Sequence, residues 1–249
     1  MKIYDRRNQP ITDWRGWTRP KEEGQWRSTR SAMELARSWF TSPVLVVPSE
    51  IADLLRSHQL TREANLQDGW PELKTPLPYP GEGRNHDLVV VGEVRGQPML
   101  LTVEGKVDET MGPAVGTYWR KSNRVSSSRA WRRIDALLFA AFGAEAVAIE
   151  APWRSLSYQL LTATVGTAIE ASTRSCAMAV LCVHEFVTES AKPDFLARNA
   201  ADFRAFLRAL GQPGASASHL YGPFTVAVPG TSGTMPVLVG KAQYRWTTR

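Results

Sequence analysis

The spacing of apolar and polar residues changes period several times along the chain, and each change predicts an element. Ser31 followed by AMELARSWF reads as an N-capped helix with Glu34 in the capping-box position, stopped by Pro43. VLVVP is a short extended segment, and Ser49 caps a second helix reaching about His58. Residues 65–85 carry Pro71, Pro76, Pro78, Pro80, Gly81 and Gly83, and the stretch reads as a loop. Leu88 to Val94 is nearly all apolar and β-rich, Arg95-Gly96-Gln97-Pro98 reads as a turn, and Met99 to Val107 runs back as the second arm of a hairpin. A helical stretch fits Val115 to Trp119. A longer helix starts near Ser128, with Ile134, Leu137, Leu138, Ala141 and Phe142 on one side and Gly143 as its stop. Another helix spans about Ser157 to Ala171, and residues 176–187, CAMAVLCVHEFV, form a buried strand reached by a right-handed crossover. Asp194 to Leu210 is amphipathic, turning Phe195, Phe203, Phe206, Leu207 and Leu210 inward. After a small-residue linker, two short strands near 224–228 and 235–240 close a tail hairpin through PGTSGT. The first thirty residues show no clear period; Trp14, Trp17 and Trp26 among Arg15, Arg19, Lys21, Arg27 and Arg30 read as an N-terminal arm or lid.

The hairpin carries the chemistry. A two-residue loop at Arg95-Gly96 sets Asp87 opposite Glu104, with Cβ atoms roughly 4.5–5.5 Å apart. Alternation then puts Glu104 and Lys106 on one face, together with Val89, Val91 and Leu100, and Val103 and Val107 on the other. A three-residue loop would break this parity. Two carboxylates so close repel unless a cation lies between them, and a hard, oxygen-seeking ion such as Mg²⁺ suits that place. The competing reading is an ordinary cross-strand salt bridge, worth at most about 1 kcal/mol when solvated.

Asp87 followed by Glu104-x-Lys106 on a hairpin resembles the PD-(D/E)xK nuclease superfamily. VEGKVDE, with SYQLLTATVGTAIEA some way downstream, is similar to an uncharacterised bacterial branch of it, over roughly residues 30 to 190. Asn85-His86, and not a proline, precedes Asp87. The resemblance implies a restriction-endonuclease-like α/β core with a mixed β-sheet flanked by helices, followed here by a C-terminal helix and β-hairpin. It implies metal-dependent hydrolysis of phosphodiester bonds, with DNA the expected substrate. Asp87, Glu104 and the carbonyl of Gly105 would hold Mg²⁺ or Mn²⁺, Glu34 could add a carboxylate from the first helix, and Lys106 would orient the attacking water. Gln159 could reach the site or a nucleic-acid backbone, while Glu109 and Asp108 read as solvated. Two alternatives stay open: a nuclease-fold protein that binds nucleic acid or a protein partner without cleaving, and a metal-dependent hydrolase of another phosphorylated substrate. The resemblance admits a homodimer without requiring one.

Composition adjusts this picture in three places. The net charge of +6 is compatible with a polyanionic partner. Arg120, Lys121, Arg124, Arg129, Arg132 and Arg133, with Trp119 and Trp131, follow the motif closely and form the candidate nucleic-acid surface. With 43% hydrophobic and 22% charged residues the chain reads as one globular domain: an arm over 1–30, a core over 31–190 and an extension over 191–249. It has neither a membrane-length apolar run nor a signal-peptide core, so a cytoplasmic protein that does not engage the membrane is expected. Cys176 and Cys182, read in one strand on one face, are too far apart to bridge, and the four histidines show no zinc spacing with them. GTSGT lacks the lysine of a P-loop, and no G-x-S-x-G elbow occurs.

Overall fold

The computed structural model describes residues 1–20, 24, 26–41, 44–107, 109–124, 128–143, 152–188, 192–214 and 218–246. Lys21, Pro43 and Asp108 fall outside them. Among the described residues the elements run β1 (Lys2–Ile3), α1 (Ser31–Trp39), β2 (Phe40–Thr41), β3 (Val44–Leu45), α2 (Ser49–Arg56), β4 (Asn65–Thr75), β5 (Arg84–Val94), β6 (Gln97–Lys106), α3 (Val115–Asn123), α4 (Ala130–Phe142), α5 (Tyr158–Thr173), β7 (Met178–Val187), α6 (Pro193–Ala209), β8 (Leu220–Ala227) and β9 (Thr234–Arg245). Seven strands form one mixed sheet in the order β1-β4-β5-β6-β7-β9-β8. The meander β4-β5-β6 is antiparallel, β6, β7 and β9 are mutually parallel, and β8 returns antiparallel to β9.

Helices cover both faces of this sheet, making an α/β fold of three layers. Leu35 and Trp39 of α1 and Ile51 and Leu54 of α2 pack with Leu88, Val90, Leu101 and Val103 on one face. On the other, Ile134, Leu137 and Leu138 of α4, Leu161 and Val165 of α5 and Phe203 and Phe206 of α6 pack with Val89, Leu100, Leu181 and Val239. Helix α5 is buried on nearly every side. Its small residues allow that: Thr164 and Thr167 return their hydroxyls to the carbonyls of Leu160 and Ala163, and Thr167 also meets Thr102 of β6 at 2.6 Å. Gly166 lets the helix lie against β5, because a Cβ there would come within 3.0 Å of Arg84 Cγ.

The hairpin has the expected two-residue loop. Arg95 and Gly96 take φ of +51° and +76°, the pair of positive values a type I′ turn requires, and Val94 pairs with Gln97. Pairing continues in that register to Leu88↔Val103.

Other boundaries differ from the sequence reading for local reasons. Residues 65–75 are strand and not loop; β1 pairs only with Asp68 and Gly69, so Pro71 sits where β4 is an open edge and needs no N–H. Ser31 is the first helical residue and caps nothing. Glu34 nevertheless accepts the Thr29 N–H at 2.8 Å, bonding the residue before the N-cap Arg30 and so falling one step outside the capping-box positions on both sides. The tail strands are longer than their apolar cores, because polar Lys241 and Gln243 lie inside β9. That strand pairs with β7, so the C-terminal hairpin completes the main sheet, and Ile3 and Trp17 of the N-terminal segment are buried in the core. Cys176 precedes β7 and packs on the α5 face, whereas Cys182 lies in the strand and faces α1 and α2; both are free thiols. No helix among the described residues is long and apolar enough to cross a membrane.

Candidate active site

Glu104 and Lys106 leave the C-terminal part of β6 on the α5 face, and Gln159 descends to them from the first turn of α5. Glu104 and Lys106 are only 4% and 3% exposed. The Lys106 Nζ lies 3.2 Å from Glu104 Oε1 and donates to Gln159 Oε1 at 3.0 Å, while the Gln159 amide donates to Glu104. Ser157 makes this possible by capping α5 at Leu160 N and bonding the Met111 carbonyl at 2.6 Å, which fixes where the helix begins.

Asp87 reaches the group through a break in the sheet. The β4–β5 ladder skips the step at which Glu72 would face Asp87, and Glu72 adopts a left-handed φ of +55°. Alternation turns over at that point. Leu88 and Val90 face α1 and α2, yet Arg84 and His86, which would share their face in a regular strand, contact Gly166 of α5. Asp87 is left in the opening between β5 and β6, where its Oδ2 accepts the Gly105 N–H at 2.7 Å. It is therefore beside Glu104, as the turn geometry requires, but bonded to the backbone of the next residue.

The expected repulsion between the carboxylates is already answered from within the chain. Arg84, unnoticed in the sequence because β5 starts earlier than its apolar run, pairs with Glu104 Oε2. Glu104 thus has Arg84 on one oxygen and Lys106 and Gln159 on the other. Burial pushes the Asp87 carboxyl up, opposed by the charges of Lys106 and Arg84, and burial pushes the Lys106 ammonium down, opposed by Glu109 and Asp87. Glu109 is half-buried with a carboxylate oxygen 4.0 Å from Lys106 Nζ, closer to the site than a solvated strand end implies.

Glu34 does not join the group. It lies on α1 across the sheet, held by Thr29 and by Arg37 at 3.2 Å. Among the described residues no group of three or more acidic, His or Cys side chains is arranged to hold a metal. Asp87, Glu104 and the Gly105 carbonyl do offer the all-oxygen donor chemistry that Mg²⁺ takes. To use it, Glu104 must release one of its present partners.

The basic stretch divides. Arg120 and Lys121 on α3, Arg124 just after it, and Arg129 and Arg132 at the start of α4 are exposed. Arg133 is not part of an open surface: it is buried and donates to the carbonyls of Pro78 at 3.1 Å, Tyr79 at 2.7 Å and Glu82 at 2.8 Å. Trp119 packs against the core, and Trp131 is exposed beneath the Arg132 guanidinium.

Sequence reasoning also passed over a second buried polar group one strand further on. Glu185 of β7 is in register with Lys106, and it accepts from Lys241 Nζ at 2.6 Å, Gln243 at 2.7 Å and Asn199 of α6 at 3.2 Å. A charged residue inside the apolar run MAVLCVHEFV is the signal that could have found it. It lies with Lys106 toward the C-terminal ends of the parallel strands, where α/β sheets commonly place ligands.

Glu72 supplies a pH test of the break in the sheet. Its carboxyl is raised from 4.5 to about 7, first by burial and then by the charge of Asp87, against the hydrogen bond from Asn85. Between those two values the unfolded chain releases a proton that the folded chain keeps, so stability falls as pH rises through that window and the loss is complete above it. Glu72→Gln removes the ionisation and keeps an acceptor for Asn85. The variant is expected to be more stable than the wild type at pH 8 by roughly 3 kcal/mol, or about 6–12 °C in melting midpoint, and to melt alike at pH 4. Thermal melts at the two pH values check this, and an equal gap at both would assign the effect to packing.

No curated protein and no solved structure matches the chain. A family model described as "Domain of unknown function (DUF6946)" matches residues 7–244, nearly the whole chain and all of the site, and the protein belongs to that family.

Proposed function

We propose that the protein is a metal-dependent phosphodiesterase acting on nucleic acid, with DNA the expected substrate. The observation that carries this reading is the convergence of Asp87, Glu104, Lys106 and Gln159 at the end of the β5–β6 hairpin, four residues from three separate stretches of chain. Asp87, Glu104 and the Gly105 carbonyl are the groups that would hold Mg²⁺ or Mn²⁺, which when bound polarises a scissile phosphate and lowers the pKa of a bound water. The Lys106 ammonium balances phosphate charge and orients the attacking water. Gln159 fixes the distance between Lys106 and Glu104, and Arg84 holds the other Glu104 oxygen through a charge-assisted hydrogen bond. The exposed arginines and lysine of α3 and α4 supply backbone affinity without sequence preference. Two free thiols fit a reducing cytoplasm, which we take as the working location.

One observation favours the second reading, a fold that binds without cleaving: every oxygen of Glu104 already has a partner in the chain. Incubating the purified protein with single-stranded DNA, duplex DNA and RNA in Mg²⁺ or Mn²⁺, against a chelator control, separates the two. Cleavage that the chelator stops is the expected result, and Asp87→Asn should remove it while leaving nucleic-acid binding in place. Binding with no cleavage of any of the three substrates would replace the enzyme with the binding module. Cleavage of a phosphomonoester or nucleotide alone would move the substrate to the third class.

A further inference from the structure

We propose that the cleft beside Glu104 receives one unstacked nucleotide, so that the strand delivered to the site is a single strand or a frayed end and not the interior of a duplex. The chemistry that follows binding rests on the phosphodiesterase reading above; the binding itself does not. The cleft has a volume of about 570 Å³ and lies between the loop before β5, α3 and the first turns of α4 and α5. That is within the range of about 300–1,000 Å³ typical of small-ligand sites, so it can take a nucleotide but not a stretch of double helix. Its inner wall is the site, because Arg84 and Gln159, both bonded to Glu104, line it.

Two further features point to a base and its phosphate. Tyr118 and Tyr158 line the cleft with their rings stacked at 4.1 Å and 11°. Aromatic faces hold unstacked bases without regard to sequence. Burial, and next the neighbouring Tyr118, push the Tyr158 phenol up to about 12, so it stays neutral beside a phosphate. Arg129 stands exposed on the lining as a cation for the strand's phosphates, while Arg84 lies deeper, paired with Glu104. The opposite wall is held in advance by Arg133, whose three bonds to Pro78, Tyr79 and Glu82 brace that loop. A wall already ordered lowers the cost of binding. A base inside a duplex would have to be unstacked and unpaired before it could enter.

The test uses the full chain in chelator, so that binding is read without turnover. Fluorescently labelled oligothymidylate, oligouridylate and a blunt duplex of equal length are titrated by anisotropy, and the same strands are then followed for cleavage in Mg²⁺ or Mn²⁺. The single strands should bind at least about tenfold more tightly than the duplex. Tyr118→Ala should weaken them roughly 5–100-fold, with Tyr118→Phe restoring the affinity. Arg129→Gln should lower the salt slope of single-strand binding by about 0.7. Where Tyr118→Ala fails to fold, Tyr118→Leu keeps the bulk and removes the ring, and the same loss is expected. Preference for oligothymidylate or for oligouridylate would each support the cleft and identify the sugar it accepts. Equal affinity for the blunt duplex, or single-strand affinity indifferent to the loss of the Tyr118 ring, would overturn it. Strands bound but never cut would support the cleft and remove the nuclease reading; duplex interiors cut while single strands neither bind nor compete would remove the cleft and leave the nuclease.

Discussion

Lys106→Ala is expected to lower single-turnover cleavage in Mg²⁺ by about 10²–10⁴-fold, the range associated with losing a positioned proton-transfer or water-orienting group. Nucleic-acid affinity should hardly change, because the exposed cations are on α3 and α4 and Lys106 is only 3% exposed. The fold should survive, since Glu104 keeps Arg84 on one oxygen and Gln159 on the other. Gln159→Ala is the informative companion. It leaves Lys106 and Glu104 paired at 3.2 Å but removes the amide that holds both, so a smaller loss of rate at unchanged affinity would identify a positioning role. Rates are compared at saturating strand concentration beside thermal melts of each variant. Equal turnover in the wild type and Lys106→Ala would take the lysine out of the reaction, whatever became of the metal.

The hairpin and its charged residues were legible in the sequence because their signals are local. Arg95-Gly96 can adopt the two positive φ values of a type I′ turn, and that turn fixes the register for the whole hairpin, which places Glu104 and Lys106 on the α5 face without further information. Gln159 was legible only through the family resemblance, because its contact with Glu104 depends on how α5 packs against β6. Arg84, Glu72 and Glu185 were hidden for three different reasons. Arg84 belongs to a strand whose polar start looks like the end of a proline-rich loop. Glu72 lies on a proline-containing edge strand at a backbone conformation that no side-chain pattern announces. Glu185 finds Lys241 and Asn199 only after β9 and α6 have packed around β7. Arg133 shows the converse error, since a charge run in sequence does not reveal which member turns inward to brace a loop.

That hidden arginine reverses what the sequence predicts for Glu104. Two opposed carboxylates without a cation should repel, so neutralising them ought to leave the metal-free protein at least as stable. With Arg84 in place the balance changes sign. All three partners of Glu104 are donors, and a glutamine there would turn an amide N–H toward one of them while leaving Arg84, at 10% side-chain exposure, without the carboxylate it bonds, Asp87 being the nearby acid that remains. Breaking a buried ion pair from one side costs about 3–5 kcal/mol, and for a chain of this size each kcal/mol moves the melting midpoint by roughly 2–4 °C. Glu104→Gln should therefore melt about 6–20 °C lower than the wild type in chelator. Arg84→Met/Glu104→Gln should recover much of that loss, because it removes both members of the Arg84–Glu104 pair together and leaves Lys106 beside Asp87. Asp87→Asn, which keeps an oxygen for the Gly105 N–H, should cost far less. A Glu104→Gln midpoint equal to or above the wild type's would mean that Arg84 does not carry the balance of charge at this site, and the repulsive carboxylate pair would return as the description of the metal-free protein.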